Sequence, residues 1–279
     1  MLVRLFNEIL GTEVEVPDAP NRIVSFSPAA TETLFEIGLG ESVAGVSAFC
    51  ARPPQARMRR KVGSYNSVRE ELLDELKPDL ILTVTGYQRD FAVRISKKYP
   101  VYPLELPVTV AGIIDFAAKV ALVAGAPEKG RDLEGRLFRA MGRLEQVPGL
   151  RSYMEMDLGG PVTFGSYSYI TDAFKLLGGS HVYDGRRSEW LTPELDSVPG
   201  TDPDLIVYEP RMYSGFSERD LGSLLRRRGW DGMRAVRLGN VFLTPGPLDF
   251  FAHHGPSFIT EALPWLEGKL MTARKRVER

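Results

Sequence analysis

The chain carries three histidines and one cysteine, so transition-metal or thiol chemistry has to rest on His181, His253, His254 and Cys50. No His-Glu-x-x-His pattern occurs, and the adjacent His253 and His254 face opposite sides of an extended segment. A metal site built only from protein ligands is therefore not expected, although one of the pair could cap a metal that a ligand brings. Cys50 falls in a predicted loop with no evident histidine partner and reads as an unreactive thiol. FGSYS at Phe164–Ser168 mimics the spacing of a nucleophile elbow but lacks its glycines on both sides. GLGESVAG is glycine-rich but follows a helix, and no phosphate-loop or dinucleotide fingerprint follows any strand.

A near-repeat stands out instead: KPDLIL at Lys77–Leu82 and DPDLIV at Asp202–Val207. Each Pro-Asp opens a continuous apolar run, the pattern of a buried parallel strand, and Asp79 and Asp204 are read as ordering that turn rather than touching a ligand. Loops expected at strand ends are rich in aromatics: Phe26, Phe49, Tyr65, Tyr87, Tyr167, Tyr169, Trp190, Tyr208, Tyr213, Phe250 and Phe251. Phe26 and Tyr169 read as core. The set as a whole, with little acid–base machinery near it, suits binding better than catalysis.

The elements that must position these residues follow from periodicity. VRLF and TEVEVP form a hairpin turning near Gly11, and Arg22–Phe26 is a short strand. Ser27 and Pro28 then open a helix that Gly38 ends. SVAGV and KVGSY are strands, SVREELLDEL a helix, KPDLILTV and VYPLEL strands. Ile113–Val123 is helical, and Pro127–Gln146 reads as one helix of about 30 Å at 1.5 Å per residue. RSYMEMDL is a strand, GGPVTFGS a loop, YSYITDAFKLLGG a helix, DPDLIVYEP and NVFLTP strands, and GPSFITEALPWLEGKL a closing helix. Alternating strands and helices give an α/β fold. The expected organisation is an N-terminal α/β lobe over 1–110, a helical linker over 111–148 and a C-terminal α/β lobe over 149–279.

Length and composition agree. A chain of 279 residues suits two domains, and 43% hydrophobic with 25% charged residues is ordinary for a soluble globular protein. A formal net charge of −1 supplies no global field toward nucleic acid, so no nucleic-acid partner is expected. The opening MLVRLFNEILGTEVEVP does not read as a secretory signal peptide, which leaves open an intracellular protein or one whose leader has been removed.

RIVSFSPAATETLFEIGLGESVAGV, CARPPQARMRRKVGSY and EELLDELKPDLILT resemble the N-lobe signature of the substrate-binding proteins of type II ABC importers, the helical-backbone receptors for metal chelates. FGSYSYITDAFKLLGGSHVYD, SEWLTPELDSVPGTDPDLIV, RGWDGMRAVRLGNVFLTPG and GPSFITEAL continue the same order, with Ser257 where the family often has Arg. The resemblance extends over nearly the whole chain from Thr12. It implies two Rossmann-like lobes bridged by one long α-helix, the class III substrate-binding fold, with the ligand between the lobes. It also implies a periplasmic or cell-surface, monomeric, non-enzymatic protein that has no cofactor of its own and delivers its ligand to an ABC permease dimer. The family docks on its permease through one Glu per lobe, and the matching positions are Glu71, with Glu70 adjacent, and Glu194.

The stretch from Cys50 to Tyr65 is most like the cobalamin-binding branch, which makes Phe49, Tyr65, Tyr87 and Trp190 ligand contacts, with Phe250 and His253 beside them. Tyr167 and Tyr213 join them from the strand-end aromatics. Arg186, Arg187 and Arg211 could pair with a siderophore carboxylate or a haem propionate. The expected ligand order is a cobalamin-like corrinoid, then a ferric siderophore, then haem, then a small oxyanion or other chelate. Two other readings remain at this point: a cytosolic chelate-buffering protein without a permease, and a two-lobed α/β enzyme.

Overall fold

The computed structural model describes all residues from Met1 to Arg279. They separate into two compact units. The first comprises Met1–Pro107, Ala111–Arg139 and His254–Pro256, the second Val108–Val110, Ala140–His253 and Ser257–Arg279.

The first unit opens with an antiparallel hairpin, β1 (Leu2–Asn7) and β2 (Thr12–Pro17), whose turn places Gly11 at φ 66°. Alternation in β2 sends Val14 and Val16 inward and leaves Glu13 and Glu15 outside, where Arg4 pairs with Glu15. Then follow β3 (Ile23–Ser25), α1 (Pro28–Glu36), β4 (Val43–Ser47), β5 (Arg60–Gly63), α2 (Glu70–Leu76), β6 (Leu80–Val84), α3 (Arg89–Ile95), β7 (Val101–Leu104), α4 (Val110–Val123) and α5 (Pro127–Met141). The sheet order is β5-β4-β3-β6-β7, all parallel. The first strand is central and the sequence winds outward on both sides, so the order reverses between β3 and β6.

Strand β6 shows why its sequence is apolar throughout. Leu80, Leu82 and Val84 pack on one side with Phe116, Val120 and Val123 of α4, while Ile81 packs on the other with Leu73, Phe91 and Ile95. Helix α1 starts as read from the sequence: the Ser27 hydroxyl accepts the Ala30 N–H at 3.2 Å, and Pro28 occupies the first turn. Helix α3 was not assigned from sequence, yet the parallel step from β6 to β7 requires a crossover there. Helix α5 ends at Met141 instead of Gln146, because Gly142 follows and the chain closes with short-range turn bonds from Arg143 and Leu144. It packs closely on α4: a side chain at Gly130 would meet the Ala121 Cβ at 2.6 Å.

The chain passes into the second unit within the last turn of α5. There it forms β8 (Arg151–Asp157), β9 (Pro161–Phe164), α6 (Tyr169–Leu176), β10 (Ser180–His181), β11 (Trp190–Leu191), α7 (Val198–Thr201), β12 (Leu205–Glu209), α8 (Glu218–Arg227), α9 (Arg234–Arg237), β13 (Val241–Leu243) and α10 (Leu263–Val277). The order is β11-β9-β8-β12-β13, with β10 also paired to β8. Strands β10, β8, β12 and β13 are parallel, β9 pairs antiparallel with the carboxyl end of β8, and β11 pairs antiparallel with β9. The sequence reading made β9 a loop. It is a strand because the Leu158-Gly159-Gly160 turn brings β-branched Val162 and Thr163 back along β8, where the Thr163 hydroxyl donates to the Met154 carbonyl at 2.7 Å. The amphipathic α8 was also unassigned; it begins with a Ser217–Asp220 capping box and buries Leu221 and Leu225. The closing helix starts with a π turn over Phe258–Ala262.

Both units use one device at the Pro-Asp motif. Lys77 (φ 47°) and Asp202 (φ 39°) leave α2 and α7 in the left-handed conformation, and a proline follows each. The Asp79 carboxylate accepts the Arg22 N–H at 3.0 Å while its own N–H donates to the Arg22 carbonyl at 3.1 Å. Asp204 repeats this with Arg151, at 2.9 and 2.7 Å. The two arginines turn back on the preceding helix: Arg22 Nε donates to the Lys77 carbonyl and Arg151 Nη1 to the Thr201 carbonyl, at 2.8 and 2.9 Å. Asp79→Ala removes the acceptor of two backbone donors, those of Asn21 and Arg22, which water can replace, and is expected to cost about 1 kcal/mol. A urea unfolding midpoint unchanged from wild type would remove this lock from the account of stability.

Candidate ligand-binding loops

In an open parallel sheet the chain has free backbone and side chains to offer where strands end, so ligands bind at the carboxyl ends. In the first unit these are the loops after β3, β4, β5 and β6. They carry Phe26, Phe49, Tyr65 and Tyr87. Phe26 is fully buried edge-on against Phe91 at 4.9 Å, a core residue as read from the sequence. Phe49 and Tyr65 meet edge-to-face with centroids 6.1 Å apart. Phe49 is 42% exposed and Tyr87 63%.

A residue missed at the sequence level joins these loops. Gln88 is fully buried beside Tyr87; its Nε2 donates to the Phe26 carbonyl at 3.0 Å and to the Tyr65 carbonyl at 2.6 Å. Its Oε1 accepts the Val84 N–H at 2.8 Å. One amide thus fixes the ends of three strands relative to one another. The signal was present, a glutamine in the turn right after an apolar strand, but nothing in the spacing says that it turns inward.

In the second unit the predicted residues fall into two groups. Tyr167 and Trp190 sit at the β9–β11 edge: the Tyr167 N–H donates to the Ser188 carbonyl at 3.1 Å, and Trp190 pairs with Phe164. Tyr213, Phe250 and His253 form the other group, after β12 and β13. Tyr213 stands at φ 60°, and its N–H donates to the Pro247 carbonyl at 2.7 Å, tying the two loops together. Tyr167 and Tyr213 are 52% and 57% exposed. Phe250 is buried against Phe251 and Trp265, and His253 is buried, so neither presents a ring to solvent. Tyr169 is core, and its hydroxyl donates to the Phe251 carbonyl at 2.8 Å. Tyr208, counted among the strand-end aromatics, lies inside β12, as the strand assigned to DPDLIVYEP implies, and is buried.

Two hollows lie among these loops, a polar one of about 280 Å³ and a more apolar one of about 320 Å³ that includes Phe216 and Leu243, and the exposed Arg211 lines both. The first is floored by Glu155, which is 1% exposed and holds Arg228 through two bonds of 2.9 and 2.7 Å while the Tyr153 hydroxyl donates to it at 2.6 Å. Arg228 is therefore committed to Glu155. Burial, with Glu155 and Asp157 nearby, pushes the Tyr208 phenol up to about 12 and keeps it neutral.

His181 is fully buried, accepts the Met154 N–H at 3.1 Å and is pushed down to about 3 by burial, so it is a neutral core histidine. No three His, Cys, Asp or Glu side chains converge as metal ligands. Cys50 has no exposed surface, its sulfur lies 3.2 Å from the Ser47 hydroxyl, and burial raises its thiol above the ordinary value. The two proposed docking glutamates are both exposed. Glu71 lies in the first turn of α2 and is in no ion pair, whereas its neighbour Glu70 has Lys98 at 3.7 Å. Glu194 precedes α7 in a turn closed by the Ser197 N–H on its carbonyl at 2.9 Å.

Strand-end loops that carry exposed aromatic rings suit the binding of a ligand. The chain belongs to the periplasmic binding protein family, whose profile matches residues 23–248. It is 24% identical over 217 residues to the vitamin B12-binding protein of Vibrio vulnificus strain YJ016, covering 75% of this chain and 79% of that one. Its fold is that of the periplasmic vitamin B12-binding protein of Vibrio cholerae, with a TM-score of 0.72, 21% identity and coverage of 92% of this chain and 98% of that chain. It is also that of a molybdate-bound periplasmic binding protein from Haemophilus influenzae, the cognate partner of an ABC transporter, with a TM-score of 0.76, 19% identity and coverage of 98% and 92%. Two α/β lobes connected through a helix are common to them. Relatives that take vitamin B12 do so as ligand, and no resident cofactor is indicated. No helix of this chain is long and apolar enough to cross a membrane.

The sequence reading also missed Glu209, at the carboxyl end of β12. Its carboxylate is 2% exposed and accepts three backbone N–H groups, those of Phe250, Phe251 and Ala252 at 3.1, 2.6 and 3.0 Å. Burial outweighs those bonds and, with Asp249 nearby, pushes the carboxyl up to about 7. The folded state therefore holds this proton up to about pH 7, while the unfolded chain releases it near the ordinary 4.5. Between those values the folded form binds more protons, so this group's contribution falls as pH rises, by about 3 kcal/mol in all. Chemical denaturation from pH 5 to 8 should show wild type losing about that much more stability than Glu209→Gln. Equal losses would mean that the carboxyl titrates normally.

Proposed function

We propose that this protein is the substrate-binding component of an ABC importer and captures a metal chelate, a cobalamin-like corrinoid ahead of a ferric siderophore. The observation that carries the reading is the set of large rings left exposed at strand ends: Phe49, Tyr87, Tyr167 and Tyr213, with Tyr65 fixed against Phe49. Flat aromatic faces suit a macrocyclic or aromatic chelate, which brings its own metal and needs only shape, stacking and a polar rim. Trp190 joins the proposed contact set, Phe250 and His253, both buried, belong to it only through the loop that carries them, and the B12-binding names of the relatives point the same way. The protein works as a monomer outside the cytoplasm in this reading.

Purified protein incubated separately with cyanocobalamin, haemin and a ferric hydroxamate, then desalted, should keep the absorbance of cyanocobalamin. Retention of none of the three overturns the chelate reading. Glu71 and Glu194 are proposed to pair with permease arginines, which their exposure and lack of ion pairs leave them able to do. The double variant Glu71→Ala/Glu194→Ala should keep ligand affinity within about twofold while uptake in cells falls at least about tenfold, the size of loss expected from two charge-assisted contacts. Undiminished uptake would favour a chelate-buffering protein that works without a permease.

A further inference from the structure

The loop between β13 and the closing helix is held more firmly than an exposed connection requires. Glu209 Oε1 accepts the N–H groups of Phe250 and Ala252, and Oε2 accepts that of Phe251. The Tyr169 hydroxyl takes the Phe251 carbonyl, and the Tyr213 N–H takes that of Pro247. Phe250 and Phe251 pack edge-on against Trp265, with centroids 5.7 and 5.9 Å from it. Three consecutive N–H groups converging on one carboxylate form an anion-binding concavity filled by the protein's own side chain. A carboxylate buried this deeply is costly, and a hydrophobic residue at the end of β12 would serve the core better. The cost has a purpose if the loop must be held in one shape.

We infer that Glu209 is a positioning residue: it clamps Phe250–Ala252 and, through the Pro247 carbonyl that accepts the Tyr213 N–H, keeps the exposed Tyr213 in the arrangement in which the ligand is held. The inference rests on the binding reading above, but the clamp itself is measurable without ligand. Glu209→Gln is the informative change. The amide keeps the shape and one acceptor oxygen, but its NH₂ faces an N–H that the carboxylate had satisfied. Glu209→Asp keeps the carboxylate one methylene short and should restore part of the effect.

Hydrogen exchange at pH 7.5 on the full chain reads the clamp. The amides of Phe250, Phe251 and Ala252 should exchange at least about tenfold faster in Glu209→Gln, with those of Leu205–Tyr208 in β12 unchanged. Cyanocobalamin release, followed by absorbance after dilution, should quicken at least about tenfold in the same variant and less in Glu209→Asp. Unchanged exchange in the loop overturns the clamp, and so does acceleration spread equally over β12, which would mark a merely structural role. Faster loop exchange with unchanged cyanocobalamin release overturns the positioning role. Failure of wild type to retain cyanocobalamin, haemin and ferric hydroxamate alike overturns the binding reading and the positioning role with it, while exchange still decides the clamp.

Discussion

Everything in each unit is registered from the reciprocal bond between an aspartate and the first residues of the central strand. A strand without a fixed start can slip, and a slip of one residue would send every side chain of the strand to the opposite face of the sheet, into packing made for another. Asp79 prevents this for β3 by holding Arg22 through backbone and side chain together, and Asp204 does the same for β8 through Arg151. The left-handed residue before each proline is the strained part. A non-glycine residue there costs roughly 1 kcal/mol, and arginine bonds to the preceding helix end offset it. Once the amino ends are pinned, strand length determines where the carboxyl ends emerge and therefore where the aromatic loops stand.

The opposite ends are pinned by different chemistry. In the first unit a neutral amide, Gln88, supplies both donor and acceptor and bridges carbonyl and N–H groups of three strand ends. In the second a carboxylate, Glu209, can only accept and so collects N–H groups from one loop. Each lies at or just past the end of the strand that its Pro-Asp motif begins. The repeated motif therefore marks a strand controlled at both ends by polar side chains, in each unit.

The strands of the first unit and the helix starts were legible because periodicity and capping are local: Ser27 with Pro28, and the apolar run after Asp79, need no tertiary information. β9 was not legible, since Val162 and Thr163 become a strand only by pairing with β8. Helix α5 was overextended because Leu144 continues the apolar spacing past Gly142, where the backbone stops. The exposed aromatics were named correctly as loop residues at Phe49, Tyr87, Tyr167 and Tyr213, whereas Phe250 and His253 are buried and Tyr208 belongs to a strand. Gln88 and Glu209 escaped because a polar residue beside a strand reads as solvent-facing until the fold shows where its hydrogen bonds go. Their importance is a property of burial, and burial is not written in spacing.

The sheltered state of Cys50 has a practical side. A single thiol with no exposed surface, hydrogen-bonded at its sulfur and raised by burial, leaves the native molecule a blank background for sulfhydryl chemistry. A cysteine introduced at an exposed strand-end position such as Tyr87 or Tyr213 would be the one reactive handle on the molecule. A fluorophore or spin label placed there would report from one chosen loop at a time, in the native chain and without first removing a residue that packs in the core of the first unit.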